Sequence, residues 1–203
     1  DITQQVIADK ALKESEEKLR LIFNNSPVGI SITDLDGKFI EVNPALSKIM
    51  GYSRTEMVNH HFNEFSHPDD KEVNDEKFRK LVEGELSYYE IEKRYIHKSG
   101  HTIYGFIRSQ LIHDHLGKPL FQTAMIEDIT VRKKAEQIQR VLYQISNAVV
   151  NSVDLEKLIQ LIQKELGTII DTTNFFVALY DETTDTLTLP FFVDEKDDYT
   201  SIP

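Results

Sequence analysis

Histidine is the side chain best suited to binding a metal or moving a proton near neutral pH, and this 203-residue chain has seven. Their spacing is poor for either task. His60 and His61 are adjacent, so on a helix they point about 100° apart. His113 and His115 flank Asp114 in a predicted turn; they could bring two nitrogens to one divalent ion, or simply sit in a solvated turn. His67, before Pro68, reads as part of a helix start. The acidic pair Asp69-Asp70 falls where a helix N-terminus favours negative charge, which is a simpler role than paired general acid and base. No Gly-x-Ser-x-Gly elbow and no glycine-rich phosphate loop occurs, since the eight glycines stand mostly at single turns. Cysteine is absent, which excludes disulfides, thiolate catalysis and CxxC motifs, and fits a reducing compartment. No catalytic residue and no metal site is assigned.

The net charge of −11, from 23 basic and 34 acidic residues, opposes phosphate backbones, so no nucleic-acid partner is expected. With 40% apolar residues the chain has enough material for a core. Its apolar runs fall well short of the ~18 residues that span a bilayer. The chain opens Asp1-Ile2-Thr3-Gln4-Gln5, with neither Met nor a signal-peptide pattern, and is read as a segment of something longer and cytoplasmic, any membrane anchor lying outside it.

Positioning elements follow from periodicity. Asp1-Ile2-Thr3 recurs as Asp128-Ile129-Thr130, and each copy leads into a polar, helix-favouring stretch. After the first, with Thr3 as a possible cap, Ala8, Leu12, Ser15, Leu19 and Ile22 fall at alternating spacings of four and three. Val131, Ala135, Ile138, Leu142, Ile145 and Val149 do the same after the second. Such a seam suits a two-stranded coiled coil, or an amphipathic helix packed on its own domain.

Between the repeats the period shortens to two. Residues 28–33 and 39–43 read as strands joined by a turn, with Gly37 free to take positive φ. Short helices are predicted for 44–50 and 54–58, Pro44 opening the first, Gly51 closing it, and Ser53 with Glu56 capping the second. A longer helix is predicted from about Asp69 to Glu83, with Val73, Phe78, Leu81 and Val82 on its apolar side. Strands follow over 88–97, 101–113 and 120–127. In the second of these, Ile103, Ile107 and Leu111 share one face and Tyr104, Phe106 and Ile112 the other, so the outer face of the sheet calls for a cover, from the N-terminal helix or from a partner. The pattern is α+β, with helices on one face of an antiparallel sheet. The last stretch begins anew: Asp154 caps a helix carrying Leu155, Leu158, Ile159, Ile162, Leu166 and Ile169, and a hairpin pairs 175–180 with 187–193. One helix and one hairpin bury little surface alone, so this second domain is expected to be cut short, leaving Phe191 and Phe192 outside any complete core.

These residues carry a resemblance. Asn25-Ser26-Pro27-Val28-Gly29-Ile30, Asp36 to Ala45, Gly51 to Met57, His67-Pro68-Asp69-Asp70, Lys98-Ser99-Gly100 and Asp128-Ile129-Thr130 resemble, in order, the motifs of a PAS domain with PAC-type C-terminal strands. Asn174 to Asp181 is similar to the opening of a GAF domain. The implied order is a linker helix over 1–24 (Asp1–Thr3 ending an upstream PAS), a PAS domain over 25–130, a signalling helix over 131–152 and a partial GAF domain over 153–203.

The resemblance implies an antiparallel five-stranded sheet with helices on one face, and a sensory relay module of a multidomain protein. A sensor histidine kinase of a two-component system is the first expectation. An input module of a cyclic-dinucleotide enzyme or transcription regulator, or a ligand-free PAS dimerisation scaffold, is the alternative. Implied partners are a second copy joined through the linker helices, a small-molecule ligand, and a downstream kinase-type output domain. Asp128, Ile129 and Thr130 would form the signal exit; Ala8, Leu12, Leu19, Ile22 and the second seam would form the dimer contact. The family fold would put Ile32, Ile49, Met50, Phe62, Phe65, Phe78, Tyr95, Ile107 and Met125 around an interior space that either holds a ligand or is filled by these side chains, with no polar anchor evident. The cofactor stays unknown. Cys-linked flavin and coumaryl chromophores are excluded, and haem is not expected, because the helix region carries Asn74-Asp75-Glu76 where haem-binding relatives place a histidine.

Overall fold

A computed structural model describes residues 2–151 and 154–193. The chain divides into two compact units that part between Val131 and Arg132.

The first unit opens with helix α1, Ile2–Asn25. Strands β1 (Gly29–Thr33) and β2 (Phe39–Val42) form a hairpin whose turn uses Gly37 at φ 83°. Helix α2, Pro44–Met50, starts on Asn43 and ends on Gly51, which adopts φ 76° and returns its N–H to Ser47 O. Helix α3, Arg54–Met57, is anchored by the Glu56 carboxylate, which accepts the Ser53 N–H at 2.9 Å. A 3-10 turn, Phe62–Phe65, comes next and was not legible in the sequence. The helix predicted from Asp69 opens as a second 3-10 turn, Pro68–Asp70, and becomes α4 over Lys71–Val82, with Gly84 at φ 78° beyond it. Its buried residues are Asn74, Phe78 and Leu81, whereas Val73 is exposed. Positions 74, 78 and 81 share a helical face, and Val73 lies about 100° away from Asn74.

Strands β3 (Tyr88–Ile96), β4 (Thr102–His113) and β5 (Pro119–Asp128) complete an antiparallel sheet in the order β2-β1-β5-β4-β3. The core gathers Leu46, Met50, Met57 and Phe78 from the helices against Val42, Ile103, Ile107 and Ile126 of the sheet. The architecture is α+β, with an antiparallel five-stranded sheet and helices on one face. Gly105 admits the Tyr95 ring: a Cβ there would stand 2.7 Å from Tyr95 Cε2.

Two expectations for α1 need correction. Thr3 lies inside the helix rather than before it, and Asp1 lies outside the described residues. Nor does α1 cover the sheet: Leu12, Leu19 and Ile22 are each more than half exposed, while Met125 on the outer face is 54% exposed.

The second unit carries most of α5, Thr130–Asn151, then α6, Leu155–Leu166, and the hairpin β6 (Phe175–Asp181) with β7 (Thr186–Val193). Asp154 caps α6 by accepting the Glu156 N–H at 3.1 Å, and the helix stops at Leu166, short of Ile169. On α5 the buried residue is Val141, with Gln137, Ile145 and Ala148 half-buried beside it. Gln137 Nε2 donates to Thr168 O at 2.6 Å. The seam residues Val131, Ala135, Ile138, Leu142 and Val149 stay exposed, so α5 packs on its own unit through a neighbouring face. Phe192 is exposed and Phe191 half-buried, its ring 6.2 Å from that of Phe175. Residues 152–153 and 194–203, at the ends of the expected signalling helix and GAF segment, lie outside the described residues. Among the described residues no helix is long and apolar enough to cross a membrane.

Candidate functional site

Alternation on the sheet decides what faces the helices. On β1 the buried residues are Gly29, Ser31 and Thr33; on β5 they are Gln122, Ala124 and Ile126. Ile32 and Met125, expected inside, therefore point to the outer face, because a period of two gives the inner face to their polar neighbours. Phe65 and Phe78 are buried but stand behind the cavity wall: Phe65 packs on Phe39 and Tyr52, Phe78 on Phe62. Ile49 is half-buried against the core. Met50, Phe62, Tyr95 and Ile107 do line the interior space, as expected.

That space is a cavity of about 30 Å³, more than the roughly 10–15 Å³ that one water molecule needs on the same measure. Contrary to the expectation of an apolar set without anchors, Ser31, Thr33, Asn74, Tyr89, Lys93 and Gln122 also line it.

These polar groups form chains. From the sheet, Thr33 Oγ1 donates to Gln122 Oε1 and Gln122 Nε2 donates to Ser109 Oγ. From the helices, Asn74 Nδ2 donates to Asn63 Oδ1, and Asn63 Nδ2 donates to Lys71 O, each at 3.3 Å. Lys93 is 4% exposed. Its Nζ donates to Ser66 Oγ at 2.7 Å and lies 4.5 Å from the Tyr95 ring centroid and 5.5 Å from that of Phe62. Ser66 is brought there by a β-bridge to Tyr95.

Burial dominates the electrostatics. Desolvation pushes Lys93 down to about 7, against the attraction of Asp70 and Asp75. It pushes the Tyr89 phenol up to about 12, and Tyr95 is raised as well. Asp70 is held below the usual carboxylate range, chiefly by Arg94. Arg94 grips it with Nη2 at 2.6 Å from Oδ1, and with Nε at 3.1 Å and its backbone N–H at 2.7 Å from Oδ2.

A signal in the sequence could have found Lys93. Once Tyr95 is placed inside, alternation also puts Lys93, Ile91 and Tyr89 inside. Asn74 was findable in the same way, one turn before Phe78. Lysine and asparagine are residue types that mostly lie at the surface, which masks this signal.

The expected exit is hydrogen-bonded to the sheet. Ile129 is 3% exposed and its N–H donates to Tyr104 O at 2.9 Å. Thr130 Oγ1 accepts the Tyr104 N–H at 3.0 Å, and the Thr130 N–H donates to Asp128 Oδ1 at 2.9 Å. The histidines stay apart from this machinery. Asp114, between His113 and His115, spends its Oδ1 on the N–H groups of Leu116 and Lys118, as a turn residue does. Among the described residues no group of three or more potential metal ligands comes together.

Comparison with known proteins identifies the fold in sequence as well as in shape. Residues 39–125 match the family model described as PAS fold. The chain is 31% identical over 133 residues, 66% of its length, to the Escherichia coli (strain K12) protein named "Probable diguanylate cyclase DgcE". It is 27% identical over 142 residues to "Sensor histidine kinase TmoS" of Ectopseudomonas mendocina. A third relative, "Methyl sulfide methyltransferase-associated sensor" of Methanosarcina acetivorans, is 30% identical over 174 residues, a stretch that runs past the first unit. The chain spans only 12%, 15% and 16% of these relatives' lengths. Among solved structures, the PAS domain of an HTR-like protein from Haloarcula marismortui matches 60% of the chain and 98% of itself at 25% identity, with a TM-score of 0.51. A PAS domain from Colwellia psychrerythraea matches 56% of this chain and 96% of itself at 24% identity, with a TM-score of 0.52.

Proposed function

Because residues 39–125 match the family model described as PAS fold, we propose that this chain is the sensory input and relay segment of a larger signalling protein. Sensing takes place in the first unit's interior. The observation that carries the reading is the continuity of β5: the strand that lines the cavity with Gln122, Ala124 and Ile126 runs into Asp128-Ile129-Thr130 and from there into α5. A change in the interior that moves β5 moves the start of α5 with it, because Ile129 and Thr130 are both hydrogen-bonded to Tyr104. The fragment itself is read as non-catalytic.

The output domain lies in the parent protein. A histidine kinase is the reading that the TmoS likeness supports, and a cyclic-dinucleotide enzyme is the alternative supported by the likeness to the probable diguanylate cyclase. The second unit is read as the start of a GAF domain. The exposed seams of α1 and α5 are read as contacts between two copies of the chain.

Two measurements test this. Enlarging Ala124 to Leu overpacks the cavity from β5 and stands in for a signal. Hydrogen exchange is expected to change at Ile129 and through the first turns of α5, and Thr130→Val is expected to confine the change to the sheet. Unchanged exchange in α5 would sink the relay. Leu142→Lys places a charge in the seam of each copy and is expected to weaken self-association by about tenfold or more in sedimentation; an equal dimer constant would remove the seam.

A ligand-free scaffold is the second reading, favoured by the small size of the cavity. Native mass spectrometry separates the two, since extra mass lost on denaturation belongs only to a ligand-holding sensor.

A further inference from the structure

Lys93 carries a charge that its surroundings solvate poorly. Its hydrogen bond goes to the neutral hydroxyl of Ser66, and two aromatic rings cover it. The nearby acid Asp70 is taken by Arg94, and Asp75 acts on Lys93 only through space. Among the described residues no carboxylate forms an ion pair with Lys93. A buried ammonium without a counter-charge is costly, and an anion beside it offsets that cost.

The space beside it is suited to such an anion. The cavity of about 30 Å³ is lined by Lys93 together with Tyr89, Asn74 and Gln122; the Tyr89 hydroxyl donates to Asn74 Oδ1 at 3.5 Å. One positive charge matches one negative charge, and the volume matches a few atoms.

We propose that the PAS cavity binds a small monovalent anion, a halide or an oxyanion of formate or nitrate size, with Lys93 as its counter-charge. The proposal rests on the reading of this interior as the sensing site and adds the chemical class of what it senses. Binding takes up a proton whenever Lys93 is neutral beforehand. Above pH ~7 the affinity therefore falls, by about tenfold per pH unit once the unbound Lys93 is mostly neutral, until the pH is high enough for the anion-bound ammonium to lose its proton as well. The groups facing Lys93 are Ser66, Asp70 of the 3-10 turn, Asp75 of α4, and Tyr89 and Tyr95 of β3. Arg94 holds Asp70 below the usual carboxylate range and burial raises the Tyr89 and Tyr95 phenols, whereas burial brings Lys93 down to about 7, within the range of the test.

The test is isothermal titration of the full chain with sodium formate, nitrate and chloride at constant ionic strength, set by sodium gluconate, whose anion is too large for the cavity. At pH 6 at least one of the three is expected to bind, and at pH 8 binding is expected to take up close to one proton, read from two buffers of different ionisation enthalpy. Lys93→Met should weaken binding by about tenfold or more. No binding at pH 6, binding without proton uptake at pH 8, or undiminished binding in a folded Lys93→Met chain would each overturn the proposal; the proton count needs no variant, so it decides the matter even where the substitution unfolds the chain. Anion binding that leaves hydrogen exchange in α5 unchanged would uphold the site and defeat the relay. The reverse result would uphold the relay and defeat the site.

Discussion

Lys93→Met is expected to stabilise the first unit at pH 6 by about 2–4 kcal/mol, on the order of 10 °C in Tm for a folded unit of this size, in anion-free buffer. The residue is 4% exposed, and burial lowers it from 10.5 to about 7. Between those values the unfolded chain binds a proton that the folded chain does not. Stability therefore rises with pH from about 7 towards 10.5, by at most about 1.4 kcal/mol per unit, and the whole penalty is present below pH 7. Methionine fills the same space without a charge, and Ser66 Oγ keeps its own bond to Phe62 O at 3.3 Å. Thermal unfolding at pH 6, 7.5 and 9 is the measurement. A wild type with a positive slope and a variant with a flatter one is the expected pair; a variant less stable than wild type at pH 6 would mean that Lys93 is not a buried, poorly compensated charge.

The second large effect is expected at Asn43, which is fully buried. Its Oδ1 accepts the N–H groups of Ile30 and Leu46, both at 2.9 Å, and its Nδ2 donates to Val28 O at 2.9 Å and Phe23 O at 3.1 Å. One amide thus caps α2, fixes the start of β1 and holds the end of α1. Asn43→Ala breaks all four bonds and buries some of the orphaned backbone groups. The expected cost is about 3–5 kcal/mol in urea unfolding. Asn43→Asp serves as the comparison, since its carboxylate still accepts both N–H groups but cannot donate to the two carbonyls; it should fall between wild type and Ala. An Asn43→Ala loss below about 1 kcal/mol would show that the backbone holds this junction without the side chain.

Most of the elements, turns and caps were local matters and were legible in the sequence, the 3-10 turn Phe62–Phe65 and the Asn43 cap excepted. Pro44 opens α2, Gly51 closes it in a left-handed conformation, Glu56 returns to Ser53, and Asp154 caps α6, each because one side chain or one φ angle satisfies backbone groups a few residues away. The absence of cysteine fixed the exclusion of thiol chemistry in the same direct way.

The interior was a different matter. Strands β4 and β5 carry apolar residues on both faces, and on β1 Ile30 and Ile32 lie on the face turned away from the core, so hydropathy does not say which face the helices cover. That choice follows from where α2 and α4 pack, and it puts Ser31, Thr33 and Gln122 inside while Ile32 and Met125 look outward. On α5 an apolar stripe broad enough for two uses packs through Val141, leaving the neighbouring seam exposed. Lys93 is the sharpest case. Its type argues for the surface, and only the register of β3 against β4, with Tyr95 drawn under the helices beside it, buries it. Local chemistry is written within a few residues, whereas burial is decided by partners dozens of residues away, and the polar, charged interior of the first unit belongs to the second kind.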